Sequence, residues 1–150
     1  MKYSYPAIFT NDEAGWLEVH FADHEDWFTC GRNIKEAVEY AVDILNIKLL
    51  ELATDGKPFP EPVSLDSIAL EDNQLVRLIT ADIDEYSKIV AQIDNNPIRY
   101  AREQANLSIK EMADHLDVPY RTAQEWNAGR VRPPRWCERL IFDKIMELKD

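Results

Sequence analysis

The sequence predicts an α+β fold in two modules, a β-β-β-α-β unit followed by an all-α unit. Three observations lead there. Apolar residues alternate with a period of two near the start of the chain and cluster again over 74–83, as strands require. A long run with helical spacing stands between them, and two short helical runs with sharp start signals follow Leu107. The charge divides in the same way: residues 1–95 carry 7 basic and 19 acidic side chains, residues 96–150 carry 10 and 9. The whole chain of 150 residues has a net charge of −11, with 45% hydrophobic and 30% charged residues, the make-up of an ordinary globular protein. Its length suits one domain or two small ones.

In the first module Tyr3, Tyr5, Ala7 and Phe9 share one face of a strand. Asn11 to Gly15 is turn chemistry, and Leu17, Val19 and Phe21 then alternate with Trp16, Glu18 and His20, which makes a hairpin. Ala22 to Asp26 is polar and acidic, hence an expected loop, and Trp27 to Cys30 an expected third short strand. Asn33 and Glu36 form a capping box for a helix whose stripe is Ile34, Val38, Ala41, Leu45, Leu49 and Leu52, closed by Gly56. Pro58, Pro60 and Pro62 enforce an extended tail. Gln74 to Ile83 is the fourth strand, and 84–96 a short helix plus linker. The modules are thus expected at 1–85 and 97–150, joined by 86–96.

In the second module Ser108 and Glu111 form a capping box, and Leu107 with Met112 a hydrophobic staple. A helix from Ser108 to about His115, a turn Asp117-Val118-Pro119 and a helix from Tyr120 to Ala128, stopped by Gly129, make a helix-turn-helix. Ile109, Met112, Ala113, Leu116, Ala123 and Trp126 face inward, leaving Arg121, Gln124 and Glu125 outward with Tyr120 and Thr122 beside them. Arginine and glutamine make bidentate bonds to guanine and adenine edges in a major groove, and Arg130 and Arg132 suit phosphate contacts. With Ser108 and Lys110 at the start of the first helix, these are the candidate DNA-binding residues. Five arginines and two acids fall between Arg121 and Arg139, so the whole-chain charge of −11 does not describe this end.

Two stretches resemble known families. Tyr5-Pro6-Ala7-Ile8-Phe9, Gly15-Trp16, Phe21-Ala22-Asp23, Thr29-Cys30-Gly31 and Asp55-Gly56-Lys57-Pro58-Phe59-Pro60-Glu61-Pro62 are similar to the HicB antitoxin family over residues 3–85. The Ala22 to Trp27 segment stands where that family tends to have Pro-Asp-Leu-Pro-Gly-Cys. The resemblance implies a partial ribonuclease-H-like sheet without catalysis of its own, which covers a small basic mRNA-cleaving toxin of the HicA type. Trp16 and Trp27, as strand aromatics suited to a partner, and the acidic Asp23, Glu25 and Asp26 are the expected partner-binding residues. Leu107-Ser108, Glu111-Met112-Ala113, Leu116 to Thr122, Gln124-Glu125-Trp126, Gly129-Arg130 and Arg132-Pro133-Pro134 resemble the lambda-repressor-like, XRE-type helix-turn-helix family. Ile109 replaces the phosphate-contacting Gln common there, and Asp117 the usual Gly.

The two resemblances in this order imply an antitoxin that also represses its own operon, binding double-stranded operator DNA as a homodimer or higher oligomer on half-sites ~34 Å apart. The alternative is a stand-alone transcriptional regulator whose acidic module serves dimerisation or sensing. An enzyme is not expected. Glu18 and Asp82 are isolated carboxylates, no nucleophile–base arrangement stands out, and no glycine-rich phosphate loop is present. His20, Asp23, His24 and Asp26 lack the spacing of a metal site, so neither metal nor other cofactor is expected. Cys30 and Cys137 form no CxxC pattern, and Cys30 is expected as a buried small hydrophobe. With neither an apolar leader nor the ~20-residue apolar run of a membrane span, a cytoplasmic protein is expected.

Overall fold

Tyr5, Ala7 and Phe9 are all buried on one side of strand β1 (Lys2–Asn11), which is central to the sheet. In the computed structural model, which describes residues 1–149, the chain is α+β and divides into two units, Met1–Ser87 and Lys88–Asp150. In the first, β1 pairs antiparallel with β2 (Leu17–Phe21) on one side and β4 (Gln74–Asp82) on the other; β3 (His24–Gly31) pairs with β2, giving the order β3-β2-β1-β4. One face is covered by α1 (Ile34–Thr54) through Ala37, Ala41, Leu45 and Leu49. Gly31 lets α1 start close to the end of β3: a Cβ there would come within 2.5 Å of the Ala37 amide nitrogen. Phe9, Phe21, Leu45 and Leu49 are fully enclosed, each stabilising the fold by about 1.5–3 kcal/mol relative to an exposed side chain. The proline tail packs on the same core, with Phe59 edge-on to Tyr3 and the Tyr5 hydroxyl donating to the Pro60 carbonyl at 2.6 Å.

Several expectations change. The acidic loop is a two-residue turn at Ala22 and Asp23, because β3 begins at His24 and includes Glu25 and Asp26. A bulge in the β2–β3 ladder absorbs these extra residues, which is why their polar run did not end the strand. Asn33 caps α1, its side chain accepting from the Glu36 amide at 2.9 Å. The return bond of a capping box is missing, because the Glu36 carboxylate turns to Arg32 instead. Ile34 is exposed, and Asn46 joins the buried stripe in its place. Cys30 is exposed as well, since it shares the outward face with Phe28.

The 84–96 segment is helical almost throughout. Helix α2 spans Ile83–Asn95, its first turn held by the Asp82 carboxylate, which accepts from the Glu85 amide. Neither glycine nor proline interrupts it, so the helix runs on to Asn96, the cap of α3 (Pro97–Gln104). The second unit continues with α4 (Ile109–Leu116), α5 (Tyr120–Ala128) and α6 (Arg135–Met146). Its core is Ile98, Ala101, Met112, Ala113, Ala123 and Ile145, with Trp126 packed against it.

Candidate nucleic-acid interface

The start of α4 is fixed by both bonds of its capping box: the Ser108 hydroxyl accepts from the Glu111 amide and the Glu111 carboxylate from the Ser108 amide, each at 3.0 Å. These bonds hold the Glu111 carboxyl below its usual range, the backbone bond from Ser108 foremost. At the far end Asp117 itself takes the left-handed conformation, with φ 54° and ψ 47°, and does the work of the glycine common at such turns. The chain then reverses into α5 within three residues. Met112, Ala113 and Ala123, at most 1% exposed, bring α4 and α5 into contact.

That packing leaves Arg121 and Gln124 exposed on α5, one turn apart. Neither makes a side-chain hydrogen bond or ion pair among the described residues, so their donors are available. Tyr120 is beside them, 49% exposed, and Thr122 is half-buried. Glu125 is held in a bidentate pair by Arg130, at 2.9 and 3.2 Å, which lowers its carboxyl below the usual range and takes up one edge of the guanidinium. Arg132 grips Glu138 in the same way, at 2.9 and 2.8 Å, and Glu138 is only 7% exposed. Arg132 therefore anchors the first turn of α6. Lys110 reaches Asp114 at 3.3 Å and remains largely in solvent.

Asn96 is a positioning residue that sequence reasoning missed. Its side-chain oxygen accepts from the Arg99 amide and caps α3, while its amide nitrogen donates to the Trp126 and Asn127 carbonyls at 3.2 and 3.0 Å. One side chain thus joins the start of α3 to the end of α5. Arg102 adds bonds to the Asn127 side chain and the Leu107 carbonyl, both at 2.7 Å. The Asn96-Pro97 pair is a local signal from which the cap on α3 could have been read, but nothing in the local pattern gives the bond to α5.

In the first unit the expected partner residues do not form one surface. Trp16 is 42% exposed, and Asp23, Glu25 and Asp26 are exposed at the β2–β3 turn and along β3. Trp27 is 6% exposed, stacked on His24 at 4.0 Å and edge-on to Tyr5 and Phe21, so it is a core residue. The exposed aromatic of this strand is its neighbour Phe28, 65% exposed, on the face away from α1. Pairing aligns Phe28, His20, Ile8 and Val76 in a row across that face, and Leu78, 55% exposed, stands one step along from Val76. The open face thus combines apolar side chains with Glu18.

The chain is similar to a protein of a toxin–antitoxin complex from Streptococcus pneumoniae. The two are 26% identical, the match covers 57% of this chain and 73% of the other, and the TM-score is 0.53. No family model and no curated protein matches the chain. Among the described residues no cluster of His, Cys, Asp and Glu is arranged to hold a metal ion, and no helix is long and apolar enough to cross a membrane.

Proposed function

We propose that this chain is the antitoxin of a type II toxin–antitoxin system. In this reading residues 1–87 bind and cover a HicA-type, mRNA-cleaving toxin, and α5 binds operator DNA so that the chain represses its own operon from the cytoplasm, with no catalysis of its own. The likeness to the Streptococcus pneumoniae toxin–antitoxin protein is the observation that carries it. Charge supports the division of labour. The first unit has a net charge of −12 and suits a basic protein, while the second has +1 and presents Arg121 and Gln124 on one helix, without side-chain partners among the described residues. The open sheet face, where Phe28 and Leu78 are exposed beside the half-buried Ile8 and Val76, is the contact surface this reading favours for the toxin.

The test is co-expression of the full chain with the product of its neighbouring gene, followed by purification and a gel shift on the promoter between them. The expected result is rescue of growth, a stable complex and a shifted promoter. A chain that shifts the promoter but neither binds the neighbour nor protects growth would be the stand-alone regulator instead.

A further inference from the structure

Both arginines of the loop after α5 meet a carboxylate. Arg132 bonds Glu138 through two nitrogens, and Arg130 bonds Glu125 in the same manner. The Arg130 pair is built into the end of the helix. Gly129, at φ 75°, turns the chain back, so that the Arg130 amide donates to the Glu125 carbonyl at 3.2 Å and the side chains of the same two residues then meet. Backbone and side chain thus fix one geometry, unlike an ordinary surface pair of two free side chains, which contributes little. Glu125 also stands one turn beyond Arg121 on α5. Its carboxyl is held below the usual range by the bond from Arg130 foremost, and the charge of Arg121 acts in the same direction. The carboxylate is therefore beside a side chain that the DNA-binding reading sets against base edges. DNA attracts arginine largely through its phosphates. To give a phosphate the donors that now hold Glu125, Arg130 must leave that carboxylate unpaired next to a polyanion. As a unit the pair brings no net charge to the duplex.

We propose that Glu125 is an electrostatic restraint on DNA binding: by neutralising Arg130 it withholds one phosphate contact from every duplex, and it reads no base itself. Retention on DNA then depends on the base contacts of α5. This deepens the reading above and rests on α5 binding DNA. Fluorescence anisotropy tests it, on the full chain with a promoter duplex and a random duplex of equal length. Glu125→Gln should tighten binding to both duplexes and steepen the plot of log affinity against log salt by about one unit, or about threefold between roughly 50 and 200 mM salt. The ratio of the two affinities should stay as it is, because phosphates carry no sequence. Arg130→Gln should flatten the slope by about one unit in the Glu125→Gln background and by much less in the wild type. Circular dichroism checks that these surface substitutions leave the fold intact. A loss of promoter affinity alone in Glu125→Gln would show the carboxylate accepting from a base, as the cytosine amino group allows, and would overturn the proposal. Equal effects of Arg130→Gln in the two backgrounds, or a Glu125→Gln slope like that of the wild type, would overturn it as well. A wild type that binds neither duplex at any salt concentration is the distinct result in which the DNA-binding reading itself fails and takes this proposal with it.

Discussion

Arg121 and Gln124 are exposed on α5, and neither side chain makes a hydrogen bond or ion pair among the described residues. Arg121→Ala and Gln124→Ala should each weaken operator binding by about 1–3 kcal/mol and leave toxin binding and melting temperature unchanged. Equal gel-shift affinities for both variants and wild type would place recognition elsewhere. Asp117 sets the turn before them at φ 54°, a conformation that a β-branched side chain resists. Asp117→Val should lower the melting temperature, at a cost of about 1–2 kcal/mol, whereas Asp117→Gly should not lower it. The Glu111 carboxyl has a folded pKa below the ordinary 4.5, so its charged form stabilises the fold above that pH. That contribution disappears as pH falls through the folded value. The melting-temperature gap between wild type and Glu111→Gln should therefore be widest at neutral pH and narrow below pH 4.5. A constant gap would show that the charge contributes nothing. These positions were readable from the sequence because caps and turns are local. The pairs Arg130–Glu125 and Arg132–Glu138 were not, because nothing in residue order shows which carboxylate a guanidinium will meet.

Elements formed wherever a single face was covered. β1, β2 and α1 follow from alternation and helical spacing because each buries one face against the core, and β4 from a short apolar run bounded by polar residues. The sequence pattern shortens β3 because Glu25 and Asp26 near its start are acidic and lie beside a bulge, where polarity no longer reports strand or loop. Trp27 and Phe28 exchanged roles for the same reason: one residue of register decides which of two neighbouring aromatics enters the core. The exposed Leu78 was hidden within an apolar run that carries no period. Between helices, Asn96 bonds the start of α3 and the end of α5 at once. Asn96→Ala should cost about 1–2 kcal/mol, a fall of several degrees in the melting temperature of so small a unit. Operator affinity should fall with it, measured where the variant is still folded, because the end of α5 loses its tether. Unchanged stability would mean that water replaces the amide at all three bonds.

At the scale of the whole molecule the two cores share no residue: one lies between Tyr5 and Ile83, the other between Ile98 and Ile145. Each unit therefore has its own hydrophobic driving force, and the fragment 88–150 should fold alone, though a unit of this size has little stability to spare. The charge makes this fragment informative. The full chain carries −11 although the fragment carries +1, so the first unit contributes a field that opposes approach to a polyanion. At low salt the fragment should bind operator DNA more tightly, or at least associate faster, than the full chain at equal protein concentration. The Debye length shrinks from ~10 Å at 0.1 M to ~3 Å at 1 M, so the difference should close as salt rises, while both affinities fall through loss of counterion release. Fluorescence anisotropy over a salt series measures both trends on one labelled operator. Parallel lines with no convergence would mean that the acidic unit does not act on DNA through charge. A full chain that binds more tightly than the fragment at every salt concentration would mean that the first unit assists DNA binding, contrary to the division of labour proposed here.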